Sequence, residues 1–550
     1  MTPSSLALAL FIFLWSGSSN AALRSYSFTI HQGSRAPDGV SREVYLINSQ
    51  QPGPQIDVDE GDDVEVFVKN QLPVETTIHW HGLLQRGTPE MDGVPGVSQL
   101  PIAPGSNFTY KFSVKNEYGF YWYHSHFRAY YNDAIRGALM IYPAPSRIRP
   151  FESLASNSAE KSALLQAERN ATSVLLNDWT HSVSDTIYAQ YFETGTYPFC
   201  VDSLLANGLG RVQCLPESIL QAGTGLGLNL PLEETTNTSV ASGPMTMATM
   251  AKRMSTGDTV SADNIAQATT LVHTSMASMP VGISSSAETI PSSTMPVSAV
   301  SMASKTSSAA MSAMPGFNAS SMAPENCVNT TSPLLTIDSN YTQGWLALNL
   351  VNSGAVSQLA VSLDAHSIFV YAADGLFVEL QEVKVLSIAV GQRYSVMIKL
   401  DQQPGAYLLR FASYPGGDMQ QVIEGQAIVS YNAESLDTGV EVLDDSASTW
   451  MLKNGSAVAN VTELDPTLLR PFEGNNPRSG PAGLTKTFLV SQTGIVTWVV
   501  DRYPYSEPTI PVLYGNTSDG WQANTTIHMP FNSTVDIVMM IANDSMDTVT

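Results

Sequence analysis

Two short motifs, Thr77-Ile78-His79-Trp80-His81-Gly82 and Trp122-Tyr123-His124-Ser125-His126, hold four of the chain's nine histidines. Residues i and i+2 of a β-strand project to the same face, so each His-x-His pair can aim two imidazoles at one point. The surrounding residues favour strands: Thr, Ile and Trp about the first pair, Tyr-Trp-Tyr before the second. Neutral imidazole suits copper, zinc, iron and nickel. A solitary His-x-His in a long chain is usually incidental. With nine histidines in 550 residues, chance predicts about 0.15 such pairs, and two stand well above that. The chemistry these residues support is metal binding, on strands that must bring two distant pairs to one place.

The neighbouring segments extend the pattern. They are Met91-Asp92-Gly93-Val94-Pro95, Pro101-Ile102-Ala103-Pro104-Gly105 and Gly119-Phe120-Tyr121-Trp122-Tyr123 leading into the second pair. Together with both His-x-His pairs, in this order, they resemble the first cupredoxin domain of the multicopper oxidases, which include laccases, ferroxidases and ascorbate oxidases. The resemblance implies a trinuclear copper cluster, with His79 on the type 2 copper and His81, His124 and His126 on the type 3 pair. Asp92 falls where the family places an acidic residue that helps deliver protons to oxygen, and it is the expected catalytic residue. Leu100 stands where many members carry a cysteine bridging to the C-terminal region.

At 550 residues the chain has room for two to four domains. Apolar residues make up 43%, charged residues only 14%, and the net charge is −23. That charge disfavours nucleic acid and anionic membrane surfaces as partners and keeps an exported protein soluble. Leu6 to Trp15 is an apolar run too short to span a bilayer, followed by small residues to Ala22, as in a secretory signal, although no Lys or Arg precedes it. No later run is long and apolar enough for a membrane helix. Twelve Asn-x-Ser/Thr acceptors, headed by Asn107, Asn170, Asn237, Asn318, Asn329, Asn340, Asn454, Asn460, Asn516, Asn524, Asn532 and Asn543, point to the eukaryotic secretory route. Of the three cysteines, Cys214 and Cys327 flank a low-complexity insert and are expected to pair, with Cys200–Cys214 the alternative.

Short alternating segments separated by Pro/Gly turns, such as Val64-Glu65-Val66-Phe67-Val68 and Asn107 to Phe112, indicate β-sandwich or barrel domains. The resemblance makes the fold class all-β, with tandem cupredoxin-like Greek-key β-sandwich domains, the third incomplete. The expected division is a signal at 1–22, a first domain at 23–150, a second at 151–445, a linker at 446–485 and a partial third domain at 486–550. Val174 to His181, Gly344 to Asn352, Ile368 to Gly375 and Val390 to Phe411 supply second-domain strands. At Asp178, fungal ferroxidases carry a glutamate that binds iron; the aspartate here matches laccase-like members. His31, His181 and His366 are expected to be surface or structural residues.

Residues 225–325 are rich in Ser, Thr, Ala, Pro and Met, and eleven of twenty-one methionines lie between Met245 and Met322. Such a composition buries too little apolar surface to offset chain entropy, so a disordered, O-glycosylated loop is expected. Thioether capture of copper(I), with His273 assisting, is the sharper alternative, weakened by the irregular methionine spacing.

The family carries two further ligand motifs in its third domain, His-Pro-x-His-x-His-Gly and His-Cys-His. Neither is present in the 550 residues, whose last segment, Asp547-Thr548-Val549-Thr550, resembles what precedes the first of them. Type 1 copper ligands are therefore absent and half of the trinuclear set is present. The resemblance implies a C-terminally truncated sequence, inactive as an oxidase by itself. The expected function is that of a secreted, monomeric, laccase-like enzyme coupling one-electron oxidation of phenolic or similar reductants to reduction of dioxygen to water. Ferroxidase, ascorbate oxidase and a non-enzymatic copper-binding protein are the alternatives.

Overall fold

The strand patterns become two four-stranded sheets in the N-terminal region. The computed structural model describes residues 21–194, 201–215, 327–413, 422–432, 449–472, 480–494, 497–516, 518 and 523–541. The first strands are β1 (Leu23–Arg35), β2 (Arg42–Ile47), β3 (Ile56–Asp59), β4 (Asp63–Asn70), β5 (His79–His81), β6 (Asn107–Ser113), β7 (Gly119–His124) and β8 (Arg136–Tyr142). They form sheets of order β2-β1-β4-β6 and β3-β8-β7-β5. Period-two alternation turns Val64, Val66 and Val68 of β4 inward, where they meet Phe28, Trp80 and Tyr123 in one core.

Two larger sheets follow. Their elements are α1 (Ser158–Arg169), β9 (Thr172–Trp179), α2 (Ser184–Thr194), β10 (Ser203–Ala206), β11 (Leu209–Arg211), β12 (Thr336–Asn340) and β13 (Trp345–Asn352). Next come β14 (Leu359–Leu363), β15 (Ile368–Ala373), β16 (Leu376–Val383), β17 (Val385–Ile388), β18 (Arg393–Lys399), β19 (Gly405–Ser413) and β20 (Glu424–Asn432). The orders are β11-β10-β9-β13-β18-β15-β16 and β12-β20-β19-β14-β17. Strand β13 is buried along its whole length because both faces are covered. Leu346, Leu348 and Leu350 face the inter-sheet core, while Trp345 and Ala347 face Leu164 and Ala167 of α1. The cap of α1 is Asn157, whose side chain accepts from the N–H groups of Ala159 and Glu160. Neither helix was expected from the strand-dominated sequence pattern.

Residues 449–472, within the linker expected over 446–485, carry apolar side chains that are buried. Met451, Leu464 and other apolar residues are scattered among Asn, Gly and Thr, and burying them lays the segment along the sheets. Isolated bridges join Val385 to Glu463 and Val378 to Pro471, and the Trp450 indole donates to the His366 carbonyl at 2.9 Å. A last sheet, β22-β21-β23, comprises β21 (Leu484–Gly494), β22 (Thr497–Val500) and β23 (Val535–Ile541). Every residue from Asp536 to Ile541 on β23 is exposed. Cys214 and Cys327 are disulfide-bonded. Cys200, His273 and the methionine-rich stretch lie outside the described residues.

The sandwich carrying β5 and β7 is fastened to the larger sheets by buried cations. Arg42 pairs with Asp133 at 2.7 Å and lies 3.7 Å over the Trp179 ring; Arg136 donates to the Ser353 carbonyl at 2.6 Å. Phe120, Trp122, Ala138 and Met140 pack against Leu175 and Val351.

Candidate metal centre

Strand register unites the two His-x-His pairs. β5 runs antiparallel to β7, with His79 opposite His124, Trp80 opposite Tyr123 and His81 opposite Trp122. Alternation sends Trp80 and Tyr123 into the sandwich core, both 0% exposed, and leaves His79, His81, Trp122 and His124 on the other face. His126 follows the end of β7; its N–H donates to Thr77 Oγ1 at 3.3 Å. Between them, Ser125 is locked by its N–H to the Ile135 carbonyl at 2.9 Å and by its hydroxyl to that of Thr76 at 3.1 Å.

The ligand nitrogens of His79, His81 and His124 lie within 4.8 Å of one another. His126 stands beside this trio, its ring centroid 5.3 Å from that of His79 and 5.9 Å from that of His124. Trp122 stacks on both His124 (4.2 Å) and His81 (5.0 Å), limiting ring rotation. Outward nitrogens are occupied: His79 Nδ1 donates to the Asp92 carbonyl at 2.6 Å and His124 Nδ1 to the Ser125 carbonyl at 2.8 Å. Their Nε2 atoms are thereby turned inward, and His81 Nδ1 shares with His124 Nε2 a 3.2 Å hydrogen bond that a metal would replace.

Asp92 is delivered by the loop around Gly93. At φ +81° this residue is in the left-handed region, and a Cβ there would overlap the Ile78 carbonyl, so only glycine lets the loop close on β5. The Asp92 carboxylate, one-third exposed, has Oδ1 3.4 Å from His79 Nδ1.

Burial disfavours protonation of His81, His124 and His126. It lowers the proton affinity of His81, to a pKa of about 3, with the Arg393 cation adding to the effect. Burial likewise holds His124 well below the usual imidazole range and lowers His126. Imidazoles with oriented rings and converging inner nitrogens form a donor set that fits copper. The sequence reading missed Trp122 as a stacking partner and Arg393 as a neighbour of His81. Arg393 figured there only as a strand residue, and no spacing rule links it to β5.

The remaining described histidines lie elsewhere. His31 bonds to the Gln32 carbonyl and Ser49 hydroxyl, His181 to Asp38 at 2.8 Å, and His366 to Tyr431 at 2.9 Å, while His528 is exposed. Asp178 is 1% exposed and accepts from the N–H groups of Ala355 (2.9 Å), Val356 (2.7 Å) and Ser357 (2.8 Å). These three bonds tie Asp178 to that loop.

The chain is similar to known proteins along most of its length. Two multicopper oxidase family models match, over residues 29–146 and 299–434. Laccase-1 of Emericella nidulans is 35% identical over 72% of this chain and 55% of its own length. Laccase abr2 of Aspergillus fumigatus is 31% identical over 90% of this chain and 72% of its own length. The crystal structure of Fet3p, a multicopper oxidase that functions in iron import, shares the fold with a TM-score of 0.52 at 19% identity, covering 89% of this chain. This chain spans 66% of that structure. The His-bearing sandwich, the family matches at both ends of the described core and the relative aligned along nine-tenths of the sequence lead to one conclusion: the chain belongs to the multicopper oxidase family, and within it to the fungal laccase type.

Proposed function

We propose that this chain carries the oxygen-side ligands of a secreted laccase-like oxidase that couples one-electron oxidation of phenolic or similar reductants to reduction of dioxygen to water. The observation that carries this reading is the convergence of His79, His81 and His124 within 4.8 Å. Copper bound there supplies single-electron transfer, four electrons and four protons being needed per dioxygen. His79 takes the type 2 role, and His81, His124 and His126 the type 3 role. Asp92, touching both solvent and the outer nitrogen of His79, relays protons inward. Trp122 holds two of the ligand rings in place. The 550 residues hold no His-Cys-His motif, so the site of electron entry is assigned to none of them.

The buried Asp178 carboxylate, which accepts three backbone N–H groups, favours an organic reductant over iron. Export is supported by the apolar run at Leu6–Trp15 and by the acceptor asparagines: of those among the described residues, only Asn454 is half-buried and the others are exposed. The −23 charge supports a soluble monomer without nucleic-acid partners. Residues 23–150, 151–445 and 486–550 are proposed as the three domains, with the first contributing the metal ligands.

An oxygen electrode tests the reading. A protein that joins these residues to an electron-entry copper site, given a dimethoxyphenol, should consume one dioxygen per four phenols oxidised and release no hydrogen peroxide. Peroxide as the product, or unchanged uptake in His124→Ala, overturns it. Retained copper with no uptake would instead identify a copper-binding protein without turnover.

A further inference from the structure

His81 is turned the opposite way from its neighbours. His79 and His124 tie Nδ1 to backbone carbonyls, which turns Nε2 inward, whereas His81 turns Nδ1 inward, hydrogen-bonded to His124 Nε2 at 3.2 Å. The χ2 torsion of histidine is broad and roughly two-fold, so the β5 backbone does not choose between these ring orientations. Neighbours from the larger sheet do.

Gly391 lies against the outer edge of the His81 ring. Its φ is +82°, and a Cβ there would stand 3.0 Å from Cε1 and 3.2 Å from Nε2 of His81. Arg393, at the start of β18 with its side chain 6% exposed, reaches under Gly82, where a Cβ would collide with the guanidinium. The guanidinium is itself held from several sides. Nη1 pairs with Asp374 Oδ1 at 3.1 Å and donates to the Gly391 carbonyl at 3.3 Å, while Nε points to the Phe120 carbonyl at 3.5 Å. The Arg393 N–H donates to the same Asp374 oxygen at 3.0 Å, and the Gly391 N–H to the Asn352 carbonyl at 2.8 Å. One planar fork thus joins β7, two residues before Trp122, to the loop that backs His81. A flexible ammonium cannot reproduce that geometry.

We propose that Arg393, acting with Gly391, is a positioning residue that holds His81 with Nδ1 toward the metal centre, so that the larger sheet decides which nitrogen this ligand offers. The proposal rests on reading His81 as a copper ligand, and its test separates the two. The full chain and its His81→Ala, Arg393→Met and Gly391→Ala variants are titrated with Cu(II) against a competing chelator. Pulsed EPR reads the remote imidazole nitrogens, and near-UV circular dichroism checks folding.

His81→Ala should weaken copper binding; if it does not, the ligand reading fails whatever Arg393 does. Given that weakening, Arg393→Met and Gly391→Ala should each reduce affinity about 10- to 100-fold, the range for groups that orient a ligand, and alter the remote-nitrogen pattern. Wild-type affinity in a folded variant overturns the proposal. So does weakened affinity with an unchanged nitrogen pattern, which would make Arg393 a strut only. If one variant does not fold, the other decides.

Discussion

Replacing Asp178 tests whether a position the family can use for iron serves here as a structural clamp. Its two oxygens accept three backbone N–H groups, from Ala355, Val356 and Ser357, at 2.7–2.9 Å. Charge-assisted bonds contribute about 1.5–3 kcal/mol each, which bounds the total at about 4.5–9 kcal/mol. Ser357 is 5% exposed, but Val356 is 41% exposed, and donors near the surface regain water when the acceptor is removed. Asp178→Ala should therefore cost about 3–5 kcal/mol, near or below the lower end of that bound. Asp178→Asn, which keeps one acceptor, should cost about half of that. The loop also presents the Ser353 carbonyl to Arg136, so its loosening should spread to the sandwich carrying the histidines.

Urea unfolding followed by near-UV circular dichroism gives the global loss. Hydrogen exchange at the Ala355, Val356 and Ser357 amides gives the local one, and about 3 kcal/mol corresponds to about a hundredfold faster exchange. A loss below about 1 kcal/mol with unchanged exchange would refute the clamp. Asp178→Glu should not create an iron site: an added methylene in a closed space should cost about 1–3 kcal/mol, and iron retained by this variant would contradict that.

Three further outcomes follow from single contacts. Gly93→Ala combines left-handed strain with a collision at the Ile78 carbonyl, so it should destabilise by about 2 kcal/mol or more and lower copper retention; calorimetry and metal analysis check this. Cys214→Ser opens a link across a sequence separation of 113 and should cost about 2–4 kcal/mol in urea unfolding; an unchanged midpoint would show that the bridge does not restrain the unfolded chain. His181 has its pKa raised above 6.5 by the hydrogen bond to Asp38. The Asp38 carboxyl, pushed up by burial, nonetheless lies below 3.8 because His181, Ser203 and the Val40 N–H bond to it. The His181 contribution is thus complete below 6.5 and fades as pH rises through the raised value, while that of Asp38 fades as pH falls below 3.8. His181→Gln should cost more stability near pH 5.5 than near pH 9, and equal losses at both would contradict the pairing.

Much of the centre was legible because its grammar is local. Two-residue alternation puts His79 with His81 whatever the rest of the chain does, and the apolar runs at Val64–Val68 and Trp345–Asn352 specify strands by burial pattern. Helix α1 also had a local signal, the Asn157 cap, but its apolar face is narrow and takes its meaning from Trp345 and Ala347 on a strand far along the chain. The scattered apolar residues of 449–472 say nothing until a sheet is there to receive them.

Other features belong to tertiary structure alone. The sequence determined which side chains could bind a metal; strand register determined that His79 faces His124, because pairing across β5 and β7 depends on the whole sandwich closing. The orientation of His81 is a still more distant consequence: ring flips cost little locally, so the choice falls to Gly391 and Arg393, brought there by the packing of one sheet system on another.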